Sequence, residues 1–281
     1  MPRLSLLDGT IEYEDTGGRG PILVFVHGLI MDSSAWRNVV AHLGADHRCV
    51  TPTLPLGAHR APMRPEADLS LRGLVNILAE FIERLDLKDV TLIMNDWGGP
   101  LLLAADRHEP VRRLVVTSCE AFDNIPPGLP GRFAAISALL PGGIYLAAQS
   151  LRVSALRQMP FTFGWMAKRL PPSEIFDRWT LGCLTDRGVR RDLRKYSLNP
   201  NLRSELRSAT ERLRAFDRPT LIVWASEDRV MPLNHGRQLA SIIPNARLVE
   251  LTDSYTLIPE DQPAELARLV RQFMNESASR W

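Results

Sequence analysis

The sequence holds little that would tie the chain to a bilayer, a disulfide framework or nucleic acid. No apolar run in its 281 residues is long enough to span a membrane. The start, Met1-Pro2-Arg3-Leu4-Ser5, lacks the charged head and long apolar stretch of a secretory signal. There are only three cysteines, Cys49, Cys119 and Cys183, scattered without metal-ligand spacing. An odd, sparse set argues against disulfide pairing, so the expected location is cytoplasmic. Formal net charge is only +2, and no basic patch interleaves with aromatics, which excludes the usual nucleic-acid footprint. The arginines read as a solvated surface. The histidines lack metal spacing and no phosphate-cradling loop is present, so neither metal nor organic cofactor is expected. The expected partner is a small-molecule substrate, with no nucleic acid and no membrane. A homo-oligomer is compatible with the sequence but nothing indicates one.

Apolar residues make up 45% of the chain and charged residues 23%, an ordinary globular balance. Periodicity gives strands at 10–14, 22–26, 49–53, 90–94 and 114–117, with helices at 34–43, 70–85 and 100–107 between them. The run Ile22-Leu23-Val24-Phe25-Val26 is continuously apolar, as in a strand buried on both faces of a parallel sheet. Alternation stops near Asn124. To about Ala215 the chain is helical, punctuated by proline, and carries Phe133, Tyr145, Phe161, Phe163, Trp165, Phe176 and Trp179. It resumes with strands at 219–224 and 247–251 and helices at 234–243 and 264–274. This predicts an α/β fold with a mostly parallel sheet, a core of 1–123 and 216–281, and a helical cap of 124–215. Ligands in such sheets sit beyond the carboxyl ends of the strands, under that cap. The tail 275–281 is expected to fray.

The stretch Leu92-Ile93-Met94-Asn95-Asp96-Trp97-Gly98-Gly99 is the most informative. An apolar run ends in a small acid flanked by an aromatic and two glycines, as where a strand breaks sharply into a helix. Asp96 is thereby lifted out of the chain. A carboxylate there can attack an alkyl carbon or move protons; the plainer reading is a helix N-cap. His27-Gly28 follows the second strand and reads as a structural loop shaper. His59, in the loop Leu54–Pro65, is the one further histidine considered as a base, against the plainer reading of an exposed loop residue.

Together with Val223-Trp224-Ala225-Ser226-Glu227-Asp228-Arg229-Val230-Met231-Pro232, these landmarks resemble the α/β-hydrolase superfamily over nearly the whole chain. The Asp-Trp-Gly-Gly elbow is similar to that of haloalkane dehalogenases and their epoxide-hydrolase relatives. The resemblance implies Asp96 as nucleophile and the N–H groups of Leu29 and Trp97 as oxyanion donors. It implies the Trp97 indole as a leaving-group ligand, Asp228 as the triad acid and Glu120 as an alternative acid position. It also points to cap tyrosines as electrophiles, for which Tyr145 and Tyr196 are available.

The chain departs from that pattern where the catalytic histidine belongs. The family places it shortly after the last strand, commonly seven residues before the proline that opens the last helix. Here that proline is Pro263 and position 256 is Thr, with no histidine after His235. A hydroxyl is not basic near neutral pH, so an ester formed on Asp96 has no obvious water-activating base. Three readings stay open: a hydrolase acting through Asp96 on a small, largely apolar substrate; a non-hydrolytic isomerase, lyase or cyclase using Asp96 with Glu120 or Asp228; and an inactive binding protein on the same scaffold.

Overall fold

The computed structural model describes residues 1–278. Eight strands form one sheet: β1 (Arg3–Leu6), β2 (Gly9–Asp15), β3 (Ile22–Val26), β4 (Arg48–Thr53), β5 (Val90–Asp96), β6 (Val111–Cys119), β7 (Thr220–Ala225) and β8 (Ala246–Leu251). Their order is β1-β2-β4-β3-β5-β6-β7-β8. The β1–β2 and β2–β4 pairs are antiparallel and all others parallel. Every residue of β5 and β7 is buried, as their unbroken apolar runs require of interior parallel strands.

The helices are α1 (Arg37–Leu43), α2 (Leu71–Arg84), α3 (Gly99–Ala105), α4 (Gly128–Leu139), α5 (Gly143–Ser150), α6 (Ser154–Arg157), α7 (Ser173–Thr185), α8 (Arg187–Ser197), α9 (Leu202–Arg212), α10 (Leu233–Ile242), α11 (Ile258–Asp261) and α12 (Pro263–Ala278). Ser70 caps α2 by accepting the Gly73 N–H at 3.0 Å. Leu71, Leu74, Ile77, Leu78 and Phe81 are buried along its length, as their spacing predicts. Helices α4 to α9 all fall between β6 and β7.

The structure differs from expectation in four places. The expected helix 34–43 opens as a 3-10 turn over Ser33–Trp36 and becomes α1 only at Arg37. Strand β1 is absent from the periodicity reading, because four residues show too little alternation; it is fixed by its antiparallel pairing with β2. Strand β6 begins three residues before its expected start, since Arg112 and Arg113 interrupt its apolar pattern; Val111 and Arg113 still pair with β5, with a register shift at Arg112. Residues Asn275–Ala278 are helical within α12, not frayed, and 279–281 lie outside the described residues.

The chain leaves β3 toward β4 on one side and leaves β5 toward β6 on the other. The neighbours β3 and β5 therefore form a topological switch point, where a crevice opens beyond the strand ends. Asp96 is the last residue of β5.

Candidate active site

Asp96 sits in the left-handed region at φ 66°, a conformation costing a non-glycine residue roughly 1–3 kcal/mol. The turn is held on both sides. The Trp97 N–H donates to the Asn95 carbonyl at 2.8 Å, and the Glu120 N–H donates to the Asp96 carbonyl at 2.9 Å. Helix α3 starts immediately, with Gly98 as N-cap and Pro100 in its first turn. Glycine is required at 28, where a Cβ would overlap the Asp96 carboxylate, and at 98, where it would overlap the Glu120 carbonyl. Asn95 ties the surroundings together by donating to Thr117 Oγ1 at 2.9 Å, to the Ser118 carbonyl at 3.3 Å and to the Thr256 carbonyl at 2.8 Å.

Asp96 and Glu120 line a cavity of about 330 Å³, together with Leu29, Tyr196 and mostly apolar residues of the helical segment, including Phe133, Phe161, Phe163 and Met166. Among the described residues no histidine lines it. Burial pushes the Asp96 carboxyl up to about 7; the Leu29 N–H bonded to it works the other way and the nearby Asp228 charge adds to the rise. Burial, and then the charge of Asp96, push Glu120 up to about 8, against the Gly98 N–H that donates to it at 3.4 Å. Two carboxyls so enclosed and coupled do not readily both ionise near neutral pH.

Asp228 lies behind this pair and does not line the cavity. Its Oδ1 accepts from the Val230 N–H at 2.9 Å, the Met231 N–H at 2.8 Å and the Thr256 hydroxyl at 2.8 Å. Burial still pushes it up to about 6. Its Oδ2 is buried, and the Ser118 hydroxyl also acts on this carboxyl, working against the rise. Thr256 thus stands beside the acid, at the position where the resemblance implies a histidine.

Other expected residues fall differently. The Leu29 N–H points at the Asp96 carboxylate. The Trp97 indole is fully buried, and its N–H donates to the Tyr196 hydroxyl at 2.8 Å instead of facing the cavity. Of the two tyrosines, Tyr196 lines the cavity, whereas Tyr145 is exposed and its hydroxyl accepts from Gln149 at 2.9 Å. His59 is not exposed and does not line the cavity. It is buried, 3.2 Å from Asp192 through Nε2, and takes the Gly57 N–H at 3.3 Å on Nδ1. Both ring nitrogens are engaged, which removes it as a substitute base. His27 Nδ1 is bonded to the Gly28 carbonyl at 2.8 Å and Nε2 accepts from the Leu54 N–H at 2.9 Å. Burial lowers its pKa to about 4, so it is a neutral loop brace. The Cys119 thiol is pushed well up by burial and stays a core residue.

Residues overlooked by the sequence reading are Asn95 and the Trp97–Tyr196 pair. A polar residue closing an apolar run was the available signal for Asn95. Nothing in the sequence pairs positions 97 and 196. No group of His, Cys, Asp and Glu able to hold a metal occurs among the described residues, and among them no helix is long and apolar enough to cross a membrane.

Comparison with known proteins agrees with the fold. Over 112 residues the chain is 33% identical to a haloalkane dehalogenase of Mesorhizobium japonicum, a match covering 40% of this chain and 36% of that relative. It is 27% identical to a cis-3-alkyl-4-alkyloxetan-2-one decarboxylase of Shewanella oneidensis, over 92% of this chain and 84% of the relative. The crystal structure of a haloalkane dehalogenase from Bradyrhizobium elkani superposes with a TM-score of 0.81 at 18% identity, covering 100% of this chain and 99% of that one. Residues 23–269 match the alpha/beta hydrolase family, and the chain belongs to it.

Proposed function

We propose that this chain is an enzyme in which Asp96 works on a small, largely apolar substrate by proton transfer, as an isomerase, lyase or cyclase. Residues 124–215 serve as the cap over a core formed by 1–123 and 216–281. One observation carries this reading: the carboxyls of Asp96 and Glu120 line one apolar cavity, with no histidine on its wall among the described residues. The carboxyls' values are raised to about 7 and about 8, so near neutral pH one carboxyl is placed to accept a proton while the other donates one. The Tyr196 hydroxyl, which accepts from the Trp97 indole, keeps its own proton free to polarise a substrate oxygen. The decarboxylase relative supports non-hydrolytic chemistry on this scaffold.

A second reading is favoured by the elbow itself. Asp96 on its left-handed turn, facing the Leu29 N–H, has the posture of a nucleophile, and attack on an alkyl carbon would leave an ester that Thr256 cannot help to hydrolyse. The two separate cleanly. The protein is incubated in deuterium oxide with small alkenes, cyclic esters, epoxides and haloalkanes, and both the small molecules and the intact protein are weighed by mass spectrometry. Proton transfer places solvent deuterium in recovered substrate or product, leaves the protein mass unchanged, and is lost in Asp96→Asn. A stable adduct on Asp96 would replace it with the covalent reading. Tight binding with neither exchange nor adduct would assign the chain to the binding proteins.

A further inference from the structure

From 124 to 173 the chain contains no Asp or Glu, yet holds Arg132, Arg152, Arg157, Lys168 and Arg169. Across 124–215, fifteen Lys and Arg stand against six Asp and Glu, while the rest of the chain carries 19 against 26. Acids outside the segment meet several of these cations: Glu227 and Asp253 pair with Lys168, Asp253 with Arg169, Glu14 and Asp32 with Arg178, and Asp106 with Arg212. Arg132, Arg187, Arg190 and Arg194 meet no acid among the described residues and leave a local positive excess. The same segment bears an exposed apolar face. Helix α4 turns Phe133 and Ala134 to the cavity, while Ile136 and Leu139 lie exposed. A helix apolar on all sides is normally covered on all sides. The face continues through Leu140 and Leu146; Leu139 and Leu146 are 60% and 65% exposed.

Cations rim this face. The Arg190 guanidinium lies 5.6 Å over the Tyr145 ring, and Arg194 donates to the Leu139 carbonyl at 3.4 Å. Arg132 and Arg187 have no ion-pair or hydrogen-bond partner among the described residues. We propose that the α4–α5 face docks on an anionic lipid surface. Apolar side chains enter the interfacial layer while the arginines meet headgroup charge. A second copy of the chain fits less well, because a two-fold contact would press the same cationic rim against itself. Phe161 is both exposed and cavity-lining, and stacks on Phe133 at 5.2 Å. The cavity thus opens to the surface beside α4, so an apolar substrate can enter from a bilayer docked on this segment. That entry route rests on the proposed active site; the docking does not.

Vesicle flotation tests it, with phosphatidylcholine vesicles containing or lacking phosphatidylglycerol. The protein floats with the anionic vesicles and is released by salt. Leu139→Glu/Leu146→Glu weakens partitioning roughly a hundredfold, and each of Arg132→Gln and Arg187→Gln roughly fivefold. The two arginine variants keep the test informative if the double variant folds poorly. Wild-type protein that stays unbound beside anionic vesicles overturns the proposal. So does a dimer in size-exclusion chromatography that the leucine substitutions dissociate, which would assign the face to a second copy.

Discussion

The Thr256 hydroxyl donates to Oδ1 of Asp228 at 2.8 Å, while Oδ2 of the same carboxylate is buried. An imidazole at 256 would offer that oxygen an N–H and present its second nitrogen as a base. On the covalent reading, Thr256→His is therefore expected to raise halide release from haloalkanes by roughly 10²–10⁴-fold, the usual contribution of a positioned base; on the proton-transfer reading it brings none. Halide electrode readings check it. A folded variant with no gain would argue that Asp96 does not attack carbon.

Proton transfer between Asp96 and Glu120 needs one carboxyl ionised and the other protonated. Turnover should follow a bell in pH, its limbs belonging to the pair and lying near the values of about 7 and about 8. Glu120→Gln should flatten one limb and lower kcat by roughly 10²–10⁴-fold. A profile with both limbs intact in that variant would remove Glu120 from the chemistry.

The same raised carboxyls govern stability. Below the unfolded values both states are protonated. As pH rises toward about 8, the unfolded chain gives up protons that folded Glu120 retains, so stability falls. Glu120→Gln should therefore melt several degrees higher than the parent near pH 8 and close to it near pH 4. Thermal scans at the two pH values check the sign.

Tyr196→Phe removes the acceptor of the buried Trp97 indole N–H. An orphaned buried donor costs about 1–3 kcal/mol, which lowers Tm by roughly 2–12 °C in a chain of this size. Calorimetry measures it, and an unchanged Tm would mean that the indole finds another partner.

His59→Gln should destabilise the fold by about 1–3 kcal/mol, since it disturbs a contact to the fully buried Asp192. It should leave the shape of the pH–rate profile unchanged. Loss of a limb would return His59 to the chemistry.

The elbow could be read from sequence because strand, turn and helix start lie in eight consecutive residues whose types impose their own geometry. The parallel strands were equally readable, since burial on both faces leaves unbroken apolar runs. His59 was misjudged because its Pro/Gly-rich loop looks like surface. In the fold, α7 covers it: the Cys183 Sγ lies 3.1 Å from the Gly57 carbonyl, and a Cβ at Gly182 would overlap the His59 carbonyl. The burial of a loop by a distant helix leaves no local trace. The Trp97–Tyr196 bond is hidden for the same reason, and with it the displacement of the indole from the role that the resemblance implied.

Asn95 holds residue 256 by its main-chain carbonyl and not by its side chain. The Thr256 hydroxyl adds its own bond to Asp228, but the main-chain hold does not depend on which side chain stands there. The loop offers a fixed address at which substitution can exchange one chemistry for another while the scaffold stays as it was. Divergence between a histidine-bearing hydrolase and a carboxyl-only catalyst then requires no rebuilding of the backbone, only a new side chain at an anchored position.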